Sequence, residues 1–310
     1  MSHTLYHDPV LTKEVLGILF FENVKTVFDG TVGLGGHAQS ILENFPQITK
    51  YIACDLDTEH LEYAQKRLSK WRQKTLFYHS NFSKIKKIIQ EKKVPHPLVI
   101  FLDLGLCSNH VDDAAKGFSF QKNGPLKMTF ETESKENGET LINGASEEQI
   151  IQILRDFGEE PKAKKIAEAI VKVRKMKPLK TTFDLKDIIE NTVFPREQNK
   201  TLMRVFQAFR IAVNHELDAL QKTLSDAITI LEKGDRMGII SYHALEDRIV
   251  KNFFTIWSHP VTAATEYSLH TPISPALGKC PTKKPIAPSP QEIEKNPRSR
   301  SARFRIFEKI

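Results

Sequence analysis

The sequence predicts an α/β fold, a doubly wound parallel sheet interrupted by an inserted all-helical domain. From Val24 to about Leu104 short apolar segments alternate with segments of helical period. That rhythm requires right-handed crossovers and a sheet covered on both faces. Between Asn109 and about Asp218 strand patterns vanish and helical ones dominate. A strand returns at Arg236–Ser241, so the core is expected to be discontinuous, 1–108 with 219–310, and 109–218 to be the insert.

Taken in order, strands are expected at Lys25–Asp29, Tyr51–Asp55, Thr75–His79 and Leu98–Asp103. Helices fall between and after them, at Ala38–Asn44, Glu59–Arg72 and Phe82–Glu91. Within the insert, apolar residues at helical spacing mark Glu147–Phe157, Ala163–Met176, Asp184–Asn191 and one long run from Thr201 toward Leu231. After Arg236–Ser241 a helix follows at Ala244–Phe254. His259 to Pro297 is rich in proline and poor in period, and reads as a long loop. Ala302–Glu308 alternates charged and apolar residues, as a half-buried edge strand does.

With 310 residues, 40% of them hydrophobic and 27% charged, the composition is that of a globular protein with a full core. No apolar run is long enough to span a bilayer, and the first residues lack the basic-then-apolar pattern of a secretory signal. Three scattered cysteines, Cys54, Cys107 and Cys280, form neither a disulfide framework nor a metal-ligand spacing. A reducing cytoplasm is therefore expected, with no membrane partner and no metal. Lysine and arginine number 45 against 38 acids, a net charge of +7, which favours a polyanionic partner.

The densest local signal is Phe28-Asp29-Gly30-Thr31-Val32-Gly33-Leu34-Gly35-Gly36-His37. A strand that breaks into glycines and re-enters a helix exposes backbone N–H groups and a helix N-terminus to a ligand. A pyrophosphate binder uses G-x-G-x-x-G without charge in the turn. Here the strand ends on Asp29, which repels phosphate and suits the cationic amino-acid end of S-adenosyl-L-methionine. Asp55, at the end of the next strand, stands where a carboxylate can hold ribose hydroxyls.

Several segments together resemble the bacterial small-subunit (16S) ribosomal RNA cytosine-N4 methyltransferase family. They are His7-Asp8-Pro9-Val10-Leu11, Asp29 to His37, Asp103-Leu104-Gly105, Gly117-Phe118-Ser119-Phe120, Phe157-Gly158-Glu159-Glu160, Phe206 to Asn214, Ile240 to Arg248 and Asn296 to Ala302. The resemblance implies a class I methyltransferase (Rossmann-like) sheet. It also implies methyl transfer to the exocyclic amine of a cytidine near the ribosomal decoding centre, on an assembled or nearly assembled small subunit. By position it carries cofactor contacts to Gly35, Gly36, His37, Asp55, Phe82 and Asp103, to which the turn adds Asp29 and Gly33. This chain departs from the family pattern at Cys107, for a serine, and at His110, for a cofactor-contacting glutamine. It departs again at Lys127, for an acid, and at Thr129, for an arginine.

Cytosine N4 has a delocalised lone pair, so the chemistry needs alignment and a hydrogen-bond acceptor more than a strong base. Asp103 at its strand end is the candidate acceptor, and His243, after the neighbouring strand, opens onto the same crevice. Cys107 is expected to be a buried, inert thiol. Phe118 and Phe120 are candidates to receive an unstacked base. Arg298, Arg300 and Arg303, with Arg305 and the preceding lysines, form the best cluster for RNA phosphates. The lysines of 162–177 read as one solvated helix face. Two further readings stay open: a relative that binds cofactor or RNA without catalysis, on the strength of Lys127 and Thr129, and a small-molecule or nicotinamide enzyme built on the same sheet.

Overall fold

The computed structural model describes residues 9–131, 134–265 and 268–310; His7 and Asp8 of the N-terminal motif lie outside them. The described residues form two compact units. Met1–Gly105 with Asp218–Ile310 makes a sheet unit, and Leu106–Leu217 makes a helical unit.

In the sheet unit the strands are β1 (Thr26–Asp29), β2 (Lys50–Asp55), β3 (Thr75–His79), β4 (Leu98–Asp103), β5 (Arg236–Ser241), β6 (Val261–Thr265), β7 (Ser268–Ser274), β8 (Gly278–Lys279) and β9 (Arg303–Lys309). Among the described residues the main sheet has the order β3-β2-β1-β4-β5-β9-β8. β1 to β5 run parallel, while β9 is antiparallel to both β5 and β8. β1 pairs with β2 on one side and β4 on the other, so the strand order reverses there. A crevice opens beyond the carboxyl ends of strands at such a switch point.

Alternate residues of each strand feed opposite faces. Val27, Tyr51, Val99, Phe101 and Ile240 are buried with Val15, Leu19, Ile41 and Leu42 on one side. Phe28, Ile52, Ile100, Leu102 and Ile239 are buried with Ile85, Ile88, Leu220, Leu224 and Phe254 on the other. This is the doubly wound, Rossmann-like arrangement the alternation predicts.

The helical unit contains Gly138–Gly144, Glu147–Asp156, Ala163–Arg174, Thr182–Thr192 and Pro195–Asn214, packed around Ile150, Leu154, Ile166, Ile170, Leu185, Ile189, Val205 and Phe209. Reciprocal capping boxes at Asn137, Ser146 and Thr181 start three of its helices.

Three expectations change. The run from Thr201 toward Leu231 is two helices, Pro195–Asn214 and Glu216–Ala227, broken at His215 with φ 50. Apolar period continues across the break, and no glycine or proline marks it. His259 to Pro297 is not one loop: β6 and β7 pair antiparallel, β8 joins the sheet, and Ser289 caps a helix at Pro290–Lys295. The helix foreseen to Arg72 stops at Arg67 and gives way to a 3-10 turn, Ser69–Trp71.

Candidate cofactor and methyl-transfer site

β1 delivers Asp29 to the switch point, and the chain then turns through Gly33 (φ 50) and Gly35 (φ 79), conformations that favour glycine. A Cβ on Gly33 would meet only Thr31 O, at 4.0 Å, so this side of the turn is open. A Cβ on Gly36 would lie 2.7 Å from Pro9 Cγ, and one on Gly35 3.4 Å from Ala64. Gly36 thus serves close packing and Gly35 the left-handed turn, and a ligand would meet this end through the N–H groups of the first helical turn. Those groups have no carbonyl four residues back to bond. Gly30 lacks a side chain because Leu102 and Phe82 occupy the space, 2.4 and 2.7 Å from where its Cβ would be.

Asp55 ends β2 and reaches back across the turn. Its Oδ2 accepts from Gly33 N at 2.8 Å and its Oδ1 from Asp57 N at 2.9 Å. An ionised carboxylate has about four acceptor sites, so two stay available to ribose hydroxyls. Burial raises the Asp55 pKa. The half-buried Phe82 begins a 3-10 turn after β3, capped by Asn81, and packs beside the Phe28 and Leu102 cluster.

Asp29 is buried at the end of β1. It is 1% exposed, accepting from Thr31 N at 3.2 Å and from the Tyr51 hydroxyl at 2.7 Å. Burial raises its carboxyl to about 7, against the lowering effect of the Tyr51 and Thr31 hydrogen bonds. Its influence on a bound cation would therefore come from beneath the turn, through the field, and depend on pH.

Asp103 ends β4, is held by two other segments and is approached by a third. Its N–H donates to Thr31 Oγ1 at 2.7 Å. Its Oδ1 accepts from the Tyr242 hydroxyl at 2.8 Å, and its Oδ2 lies 3.4 Å from His37 Nε2. The side chain keeps 22% of its surface exposed, which leaves room for a ligand. His37 is buried, edge-on to Phe101, and among the described residues neither ring nitrogen makes a hydrogen bond. Open backbone at Gly33, free acceptor sites on Asp55 and an exposed side of Asp103 fit a nucleoside cofactor with a cationic end.

His243 is the N-cap residue of the Ala244–Trp257 helix. Its Nε2 lies 3.2 Å from Glu246 Oε1, so its near partner is its own helix. Glu246 is buried, and its Oε2 accepts from Tyr242 N at 2.9 Å. Arg298 and Arg300 are exposed on the Pro297–Ser301 turn. Arg303 is half-buried, donates to Ala302 O at 2.9 Å and pairs in register with Ser241. Arg303 thus begins β9 at the carboxyl end of β5, and Arg298 and Arg300 precede it on the turn. Arg305, by contrast, makes a two-point ion pair with Asp247, at 2.7 and 3.0 Å, and is occupied.

In the helical unit Phe118 is 7% exposed and stacks on Phe130 with centroids 5.2 Å apart. Phe120 meets Phe206 edge-on; both rings belong to that unit's core. His110 is buried against Phe118 and Phe130. Cys107 is half-buried rather than buried. The lysine face is not uniformly solvated: Lys162 pairs with Glu197, and Arg174 donates to the carbonyls of Ile142 and Ala145.

The sequence reading missed Tyr242, Thr31 and Tyr51 as parts of the site. Thr31 and Tyr242 lie inside the motifs quoted above, but an aromatic after a strand reads as core, and its partner Asp103 is 139 residues away.

The sequence matches the MraW methylase family over residues 4–310. It is 36% identical over 309 residues to the ribosomal RNA small subunit methyltransferase H of Coprothermobacter proteolyticus, covering 100% of this chain and 98% of that one. With the protein of the same name from Protochlamydia amoebophila it shares 39% over 311 residues, covering 98% and 97%. Among solved structures, an rRNA methylase from Streptococcus thermophilus aligns over 93% of this chain and 89% of its own, at 12% identity and a TM-score of 0.38. With a match that spans nearly all its residues and near-full-length relatives above 30% identity, the chain belongs to the MraW methylase family.

Proposed function

We propose that this protein is an S-adenosyl-L-methionine-dependent methyltransferase that modifies the exocyclic N4 amine of a cytidine in small-subunit ribosomal RNA. The observation that carries the reading is Asp103, fixed at the switch point with one side open. The cofactor would supply an electrophilic methyl group on a sulfonium sulfur. Asp55 would hold its ribose, Phe82 offer a face to adenine, and the first turn of the Gly36–Asn44 helix receive its amino-acid end. Asp103 would accept a hydrogen bond from the N4 amine, localising the nitrogen lone pair. As that pair formed the new N–C bond, the bond between the methyl carbon and sulfur would break and the neutral thioether would leave, while the N–H proton would pass to the Asp103 carboxylate and from there to solvent.

The finer assignments are part of the same proposal. The substrate is an assembled or nearly assembled small subunit, the 109–218 insert recognises it, and Arg298, Arg300 and Arg303 hold phosphates. The setting is the cytoplasm. Among the described residues Cys54, Cys107 and Cys280 form no disulfide, and no helix is long and apolar enough to cross a membrane.

Nucleoside mass analysis of small-subunit RNA from cells with and without the gene tests the activity. N4-methylcytidine content is expected to fall without the gene and to return with the wild-type gene but not with Asp103→Asn. An unchanged content would overturn the reading.

A further inference from the structure

The best-defined contact in the site joins the two neighbouring strand ends. β4 and β5 are parallel with Asp103 opposite Ile240, and Leu104 N donates to Ile240 O at 2.9 Å. This register brings Tyr242, just past β5, over the end of β4. Three things hold the phenol. Its main-chain N–H donates to the buried Glu246. Its ring lies against Gly105, where a Cβ would come within 3.2 Å of Cδ2 and where φ is 93. Its hydroxyl donates to Asp103 Oδ1 at 2.8 Å.

We infer that Tyr242 is a positioning residue for methyl transfer, its hydroxyl fixing the plane of the Asp103 carboxylate so that the remaining acceptor sites face the substrate amine. This rests on the proposed function. A carboxylate held only by its own side chain turns about its terminal torsion, which has broad wells. A donated hydrogen bond to one oxygen removes that freedom, and a charge-assisted one is among the stronger kinds. Burial and the adjacent Asp103 push the Tyr242 phenol well above its ordinary pKa, so it remains a donor throughout the working range of pH. His37 approaches the other oxygen at 3.4 Å without a hydrogen bond. Tyr242 is thus the partner that sets the angle.

The test uses the full-length protein and small subunits lacking the methyl group. Tyr242→Phe removes one oxygen and keeps the ring against Gly105. It is expected to lower kcat by about tenfold or more while KM for S-adenosyl-L-methionine stays within about twofold. On an Asp103→Asn background the same change should add less than about twofold, since the two groups act as a unit. Independently of turnover, the Asp103 carboxyl resonance in a sample labelled with 13C-aspartate, assigned by its loss in Asp103→Asn, should move in Tyr242→Phe. An unmoved resonance, or an equal loss of kcat on both backgrounds, would overturn the inference. Failure of the wild-type protein to methylate small subunits would instead overturn the proposed function, and the carboxyl resonance would still decide the contact.

Discussion

The sheet unit brings three carboxyls together at the carboxyl ends of its strands, whereas the helical unit distributes its polar groups among helix ends. Asp29, Asp55 and Asp103 end β1, β2 and β4, and Thr31, Tyr51 and Tyr242 hold two of those carboxyls. In the helical unit Asn137, Ser146 and Thr181 close helix N-termini, and Arg174 and Asn214 answer main-chain carbonyls. Its buried acid, Glu160, is met by Arg204 and by Lys162 N. Caps satisfy groups that folding leaves orphaned, so those residues stabilise. Carboxyls brought together at a switch point oppose folding through burial and mutual repulsion. A group of strand-end carboxyls that serves no cap is therefore the mark of the site, and substitutions in the two units should fail differently.

The largest effect is expected at Gly117, in the helical unit. Its φ is 71, and a Cβ would lie 2.1 Å from Pro125 O and 2.8 Å from Lys127 N, both main-chain atoms that cannot step aside. Gly117→Val should cost on the order of 3–5 kcal/mol, from backbone strain and overpacking together. Chemical denaturation measures it. A loss below about 1 kcal/mol would show that the Gly117 and Pro125 segments separate easily, contrary to their packing.

Asp29 tests the opposite kind of residue. Its carboxyl is raised from 3.8 to about 7 by burial, so the folded state holds the proton more tightly than the unfolded state does. Its contribution is then fully present below about pH 4 and is lost as pH rises through about 7, by at most about 4 kcal/mol. Asp29→Asn should therefore gain stability relative to wild type between pH 5 and 8, while cofactor affinity at pH 8 falls. Melting temperatures of both proteins across that range decide the sign. A difference independent of pH would mean that Asp29 titrates at its ordinary value.

Gly35 provides a milder counterpart to Gly117. It too has positive φ, 79, but a Cβ there meets its nearest neighbours at 3.4 Å, ordinary contact. Only the left-handed backbone is penalised, so Gly35→Ala should cost about 1–2 kcal/mol. Calorimetric titration should show a larger proportional loss of cofactor affinity than Gly117→Val causes at a temperature where both are folded. If the two variants lost affinity equally, the glycine turn would have no special tie to the ligand.

How far the sequence speaks follows the same division. β1, β2 and β4 are continuous apolar runs ending in aspartate, so strand, burial and site residue are read from one segment. The break at His215 and the β6–β7 pairing depend on partners far along the chain, and local period cannot supply them. Asp55 and Asp103 were accessible because a strand end is a positional signal. Tyr242 was not, because its role is defined only once β5 lies beside β4. Asp29 was identified but its burial was not, since burial of a turn residue depends on Tyr51 standing under it.

The smallest effect on stability should come from Lys127 and Thr129. Leu126 and Met128, which flank Lys127, are fully buried. Leu126 N bonds to Lys180 O, and Met128 O accepts from Asn214 Nδ2, so the core and main chain of this segment are independent of its other side chains. Lys127 is exposed, and among the described residues the half-buried Thr129 engages only Glu131, two residues away. Replacing both with the family's acid and arginine, as Lys127→Asp and Thr129→Arg, should change stability by less than about 0.5 kcal/mol. Cofactor affinity should be unaltered. Because the same side chains face outward from the proposed recognition insert, kcat/KM for small subunits should rise by several-fold. A fall in melting temperature would instead place Lys127 and Thr129 among the supports of the helical core. An unchanged kcat/KM would show that this face does not meet the substrate.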